Sequence, residues 1–97
     1  MTYVLHRQAA TDLESAFEFY RRNGSAQVAL RFLAEFERVA ELVDDNPDIG
    51  TPTQEGRRRV SFRRYPCSII YRPVQSVVRI LVVRRDRQAP GYGGDRG

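Results

Sequence analysis

The apolar residues of this chain change their period once, and that change divides it in two. From Leu13 to Val43 they recur every three to four positions; from Arg57 to Val83 they alternate or gather in short runs. A period near 3.6 marks a helix with one buried face, and a period of two marks a strand. Helices confined to one half and strands to the other imply an α+β architecture, with a helical layer on one face of a sheet. Ninety-seven residues suffice for one such domain, spanning 1–97, and not for two.

The elements can be placed. Tyr3–His6 reads as a short extended segment that needs a partner in a sheet. Leu13, Ala16, Phe17 and Tyr20 form the stripe of a first helix, and Thr11 with Glu14 has the form of a capping box that would start it near residue 12. Ala9 and Ala10 are good helix formers and allow a start two or three residues earlier. Asn23-Gly24 ends it, both residues tolerating a left-handed C′ position. Ser25 can cap a second helix carrying Val28, Ala29, Phe32, Phe36, Val39, Ala40 and Val43 on one face, and Asn46-Pro47 stops that helix. The short connection makes the pair an antiparallel hairpin.

Residues 48–56 read as a loop, followed by strands over Arg57–Phe62, Cys67–Tyr71 and Val77–Val83, with an irregular tail over 84–97. The predicted fold is therefore α+β with the order βααβββ: a helical hairpin packed on a mostly antiparallel four-stranded sheet. Val60, Phe62, Ile69 or Ile70, Leu81 and Val83 are its expected inward set.

Charge limits what such a domain can do. All sixteen cations are arginine, so no lysine is present to serve as a base or Schiff-base former. Residues 1–49 hold five arginines against nine carboxylates, net −4; residues 50–97 hold eleven against Glu55, Asp86 and Asp95, net +8. The second half thus carries a basic, partner-facing surface. No run reaches the roughly 18 apolar residues of a membrane span, and the N-terminal text is unlike a signal peptide, so a soluble cytoplasmic domain is expected. A single cysteine, Cys67, forms no internal disulfide, and no His/Cys cluster suggests a metal; no cofactor is expected.

Catalytic chemistry has few carriers. His6 is the only histidine and reads as a strand-end residue; Cys67 reads as a buried, inert thiol. P-loop, GxGxxG, HExxH and GxSxG patterns do not occur. Arginines can hold phosphate but are no bases near neutral pH, leaving Tyr65, Tyr71, Tyr92, Glu55 and Asp86 for any metal-free phosphodiester cleavage. Recognition without catalysis fits better. Arg57-Arg58-Arg59, Arg63-Arg64 and Arg84-Arg85-x-Arg87 recur at strand ends, and alternation puts Arg57, Arg59 and Arg63, with Arg79 as a further candidate, opposite Val60 and Phe62. Such a face suits phosphate or an acidic protein surface. Few aromatics are interleaved with it, which speaks against reading bases in RNA.

Several short patterns occur together and in order: Ala10-x-Asp12-Leu13, Ala29-x-x-Phe32, Asn46-Pro47-x-x-Gly50, Arg58 or Arg59, Tyr65-Pro66-x-x-Ile69-x-Tyr71-Arg72, Ile80-Leu81-x-Val83 and Arg87-x-x-Pro90-Gly91-Tyr92. Over nearly its whole length the chain resembles toxins of the RelE/ParE superfamily, from bacterial type II toxin–antitoxin (plasmid stabilisation) modules. It is closer to the ParE-like members through Tyr65-Pro66 and the Pro90–Tyr92 tail.

The resemblance implies an α+β fold, a cognate antitoxin that wraps the toxin, and DNA gyrase as target. The target-binding residues would be Arg57, Arg59, Arg63 and Arg64 on the sheet and Arg84, Arg85, Arg87 and Tyr92 at its exit. The alternative is a RelE-like endoribonuclease that cleaves mRNA on the ribosome, working through Arg59, Arg64, Arg85 and Tyr92. A toxin that has lost activity and merely binds its partner is a third reading. Three positions depart from the pattern: Arg85 stands where many relatives carry histidine, Gln88 where they carry a second arginine, and Gly93 where tryptophan is frequent.

Overall fold

The computed structural model describes residues 3–88 and 91–96. Its elements run β1 (Val4–Leu5), α1 (Arg7–Asn23), α2 (Ala26–Asp45), β2 (Thr51–Pro52), β3 (Arg58–Ser61), β4 (Cys67–Val74) and β5 (Val77–Arg85), with a single 3₁₀ turn at Gln54–Gly56. The α+β class is as expected, but the sheet has five strands rather than four and is mixed. In the order β1-β5-β4-β3-β2, β1 runs parallel to β5 and every other pair is antiparallel. A parallel pair needs a crossover connection; between β1 and β5 the chain supplies one that includes the helical hairpin. The extra strand, β2, lies in the segment read as a loop. It is two residues long, and Pro52, which has no N–H to donate, is tolerated because β2 is at the sheet's edge.

Helix α1 begins earlier than the capping box suggests. His6 is the N-cap, its Nδ1 accepting from the Gln8 N–H at 3.0 Å. Thr11 lies inside the helix, its hydroxyl turned back to the Arg7 carbonyl at 3.4 Å. The early start puts Ala9, Asp12 and Ala16 on the buried face. Gly24 ends the helix with φ −129°, not in the left-handed region; it is glycine because a Cβ would stand 2.9 Å from the Tyr20 carbonyl and 3.2 Å from the Val28 side chain. Helix α2 follows the sequence reading closely: Ser25 Oγ accepts from the Val28 N–H at 3.1 Å, and Asn46 closes it.

The core lies between the hairpin and one face of the sheet. Phe32, Phe36, Val39, Ala40 and Val43 from α2 meet Phe62, Ile69, Tyr71, Val78, Ile80 and Val83. Phe32 stacks on Phe62 with centroids 5.7 Å apart, and Tyr65 packs edge-on to both Phe32 and Tyr20. Between β4 and β5 the register shifts: Tyr71 pairs with Ile80 but Ile70 with Val82, which leaves Leu81 as an extra residue. This bulge places Ile80, rather than the expected Leu81, in the main cluster beside Val83. Ile69 is the inward member of its pair, fully buried, while Ile70 is half-buried on the outer face.

Strand β5 continues through Arg84 and Arg85, so these two belong to the sheet and not to the tail; β4 likewise continues through Arg72 and Pro73 to a turn in which Gln75 has φ 55°. Among the described residues no helix is long and apolar enough to cross a membrane.

Candidate functional site

With the hairpin on one face, the alternation of β3, β4 and β5 turns another set of side chains outward. The register sets Arg59 beside Ile70 and Val82, Ser68 beside Arg84, and Arg72 beside Arg79. Arg57, just before β3, joins this outer face. The segment 91–96 forms a strap that returns across it. Arg57 donates to the carbonyls of Gly93 (3.5 Å) and Arg96. Gly93, with φ +78°, lies so close to Val82 that a Cβ would come within 2.5 Å of Cγ2. Between the strap, the Thr53–Glu55 segment and the floor residues Arg57, Arg59, Ile70 and Arg84 is a cavity of about 630 Å³, also lined by Gly91, Tyr92 and Gly94.

One carboxylate fastens the strap. Asp12 of α1 accepts from the Val83 N–H at 3.1 Å, the Tyr92 hydroxyl at 2.5 Å and the Arg96 guanidinium at 2.5 Å. The Asp12 and Arg96 side chains are 4% and 8% exposed, so this is a buried ion pair. Such pairs are costly to break singly because the remaining charge stays buried. Arg96 also donates to the Leu81 carbonyl at 3.1 Å, and its guanidinium lies 4.9 Å from the Tyr92 ring centroid. Hydrogen bonding to the Asp12 carboxylate, with a smaller contribution from the Tyr92 hydroxyl, raises the Arg96 pKa against the effect of burial.

The expected arginine set does not form one patch. Arg57, Arg59 and Arg84 line the outer-face cavity. Arg63 and Arg64 sit in the β3–β4 connection, against α2, at a second cavity of about 680 Å³ shared with Arg31, Arg38, Glu35 and Tyr65. There the Arg38 guanidinium, with help from the Arg63 N–H (2.8 Å), holds the Glu35 carboxyl at about 2, against the upward push of burial. Arg85 turns to the helical side, its guanidinium 4.4 Å over the Phe19 ring. Arg87 is exposed in the turn after β5, and Tyr92 is half-buried at the cavity wall. Arg79 is on the outer face, near Arg72 and away from the cavity residues. Pro90, part of the last pattern, lies outside the described residues.

Other residues hold the frame. Arg58 points inward and donates to the carbonyls of Asp48 (3.0 Å) and Gly50 (2.8 Å). The Tyr71 hydroxyl donates to the Pro47 carbonyl at 2.7 Å and accepts from the Gly50 N–H at 3.0 Å. Gln88 receives the Arg85 N–H at 2.8 Å and, through its carbonyl, an Arg84 N–H at 2.9 Å. Cys67 is 1% exposed, its sulfur 3.3 Å from the Tyr20 hydroxyl, and burial raises the pKa of its thiol.

Asp12 and Arg96 are the residues that sequence reasoning passed over. Asp12 had a visible signal, a carboxylate three residues from Ala9 and four from Ala16, on the face that α1 buries. Arg96 had none, because the tail has no period. Beneath the outer face, Nε of Arg57, Arg72 and Arg84 and Oγ of Ser68 are buried without a hydrogen-bond partner among the described residues. A buried donor left unpaired costs about 1–3 kcal/mol. Chemically, Arg59, exposed at this cavity, is the guanidinium placed to meet an oxyanion.

A family model described as "ParE toxin of type II toxin-antitoxin system, parDE" matches residues 3–90. The chain belongs to the ParE toxin family. A solved structure titled "Chromosomal ParDE TA system from P. aeruginosa" has the same fold, with a TM-score of 0.78 at 22% identity over 88% of this chain and 95% of that one. No curated protein sequence matches. The family match spans both helices and all five strands and ends before the strap, so Tyr92, Gly93 and Arg96 lie beyond it. As a ParE-family chain, this protein is the toxin component of a type II toxin–antitoxin system, whose partner is a cognate antitoxin.

Proposed function

We propose that this toxin acts by binding and not by breaking bonds, as one domain over residues 1–97, with DNA gyrase as its target in the cytoplasm. The supporting observation is that the residues a ribonuclease would need are either divided among different places or already engaged. Arg59 faces the outer cavity, Arg64 the cavity beside α2, and Arg85 the Phe19 ring, while the Tyr92 hydroxyl is committed to Asp12. General acid–base cleavage needs a donor and an acceptor within hydrogen-bond reach of one substrate bond. Glu55, the remaining base candidate at the outer cavity, is exposed and 3.9 Å from Arg57. Arg57, Arg59, Arg63, Arg64, Arg84, Arg85, Arg87 and Tyr92 are on this reading contacts for the target or determinants of the surface it meets.

The test is a pair of assays on purified protein freed of antitoxin. DNA supercoiling by gyrase should fall with toxin concentration, while mRNA on translating ribosomes stays intact. Codon-dependent cleavage with supercoiling unaffected would establish the RelE-like alternative instead.

A further inference from the structure

The cavity beside α2 is built from two elements tied together. Arg31, Glu35 and Arg38 fall at i, i+4 and i+7 of α2, one stripe of that helix. Glu35 accepts from Arg38 Nε at 3.0 Å and Nη2 at 2.9 Å, and from the Arg63 backbone N–H at 2.8 Å. Two residues on, the Tyr65 hydroxyl donates to the Val28 carbonyl at 3.0 Å. The β3–β4 connection is thus pinned to α2 on either side of Arg64. Arg63 and Arg64 are exposed there, and so is Arg31 across the same cavity. Four guanidinium groups share this lining with one carboxylate, and Arg38 already occupies it. Arg31, Arg63 and Arg64 make no ion pair among the described residues.

Three uncompensated charges held by one helix and one pinned connection attract a polyanion, and the remaining lining decides which. A contact with an acidic protein is anchored by apolar or aromatic side chains at its centre. Here Ala34 is the one aliphatic residue, and Tyr65, the one aromatic, packs its ring against Phe32 and Tyr20. That engaged ring also denies a single strand the stacking platform it binds by. Duplex RNA is gripped through its 2′-hydroxyls as well as its phosphates, and the lining holds no serine, threonine, asparagine or glutamine. Duplex DNA asks for less: its bases are stacked inside, and its outer row of phosphates is met by cations alone.

We propose that this cavity is a phosphate-backbone site for duplex DNA, with Arg31, Arg63 and Arg64 each meeting a phosphate. The proposal rests on the gyrase reading only for the source of the duplex, the DNA that gyrase holds. Arg38 and Glu35 bring no net charge; they position the connection that carries Arg63 and Arg64.

The experiment uses the full chain, without gyrase, and a fluorescent DNA duplex of mixed sequence, with anisotropy followed from about 0.05 to 0.2 M salt. Each phosphate neutralised adds about −0.9 to the slope of log K against log salt, so three contacts give about −2.7. Arg31→Gln, Arg63→Gln and Arg64→Gln should each weaken binding about fivefold at low salt and flatten the slope by about 0.9. Arg79→Gln, the same charge change on the outer sheet face, should leave the slope within about 0.3 of its starting value. An unchanged slope in Arg31→Gln and Arg64→Gln, or an equal loss in Arg79→Gln, would overturn the site. Tighter binding of a glutamate oligomer, an oligothymidylate or an RNA duplex of equal charge through the same three arginines would overturn the assignment to duplex DNA. Supercoiling is assayed apart: a toxin that binds the duplex and spares gyrase refutes the target and leaves the site standing, and the reverse result refutes the site alone.

Discussion

At the scale of single residues, Asp12 carries more than its place in α1 suggests. Its carboxylate satisfies one backbone N–H, one phenol and one guanidinium, joining the first helix to the last strand and the strap. Asp12→Ala is expected to destabilise the protein by about 3–5 kcal/mol in urea unfolding, because Arg96 is left buried and unpaired. Removing both charges, as Asp12→Leu with Arg96→Met, should recover much of that loss; if the double variant is no better than the single one, the ion pair is not the source. Glu35 gives a pH signature. Its carboxyl lies at about 2 in the folded chain and near the ordinary 4.5 when unfolded, so its stabilising contribution is complete above pH 4.5 and lost as pH falls towards 2. Glu35→Gln should flatten the stability profile across that window and leave the neutral plateau with a smaller ΔG.

At the scale of elements, legibility followed hydrophobic period. Helix α2 could be read nearly to its ends, since its apolar face is unbroken and Ser25 and Asn46 bound it. The strand β2 could not, because two residues including a proline carry no alternation, and the bulge at Leu81 could not, because four buried residues in a row, Ile80 to Val83, look the same in any register. Arg84 and Arg85 read as tail because charge dominates their sequence, whereas backbone pairing with Ser68 and Cys67 keeps them in β5. The arginine pairs were visible, but not their division: β3 ends at Ser61 and leaves Arg63 and Arg64 beside α2, and the strap that covers Arg57 has no periodic signal. That strap has its own test. Gly93→Ala meets both a positive φ and Val82, a buried neighbour with no room to retreat. It should cost about 1–3 kcal/mol, and hydrogen exchange should rise over 91–96 and not over α2.

At the scale of the whole molecule, charge is divided with the fold, the helical half net negative and the sheet half net positive. Long-range attraction to an acidic partner should therefore speed association more than it strengthens the final complex. Raising ionic strength from about 0.05 to 0.5 M should lower the association rate constant for antitoxin at least about tenfold while the dissociation rate changes less. Stopped-flow mixing measures both; a dissociation rate carrying most of the change would place the charges in buried contacts.

The pairing of β1 with β5 has a further consequence, for biosynthesis. Hydrogen bonds of Asp12 reach 71 and 84 residues along the chain, and β5 lies between the first strand and the fourth. While the ribosome is still polymerising, the emerging polypeptide can wind its helices but has no centre on which to lay them. The first and fourth strands therefore stay unjoined until the last strand is out.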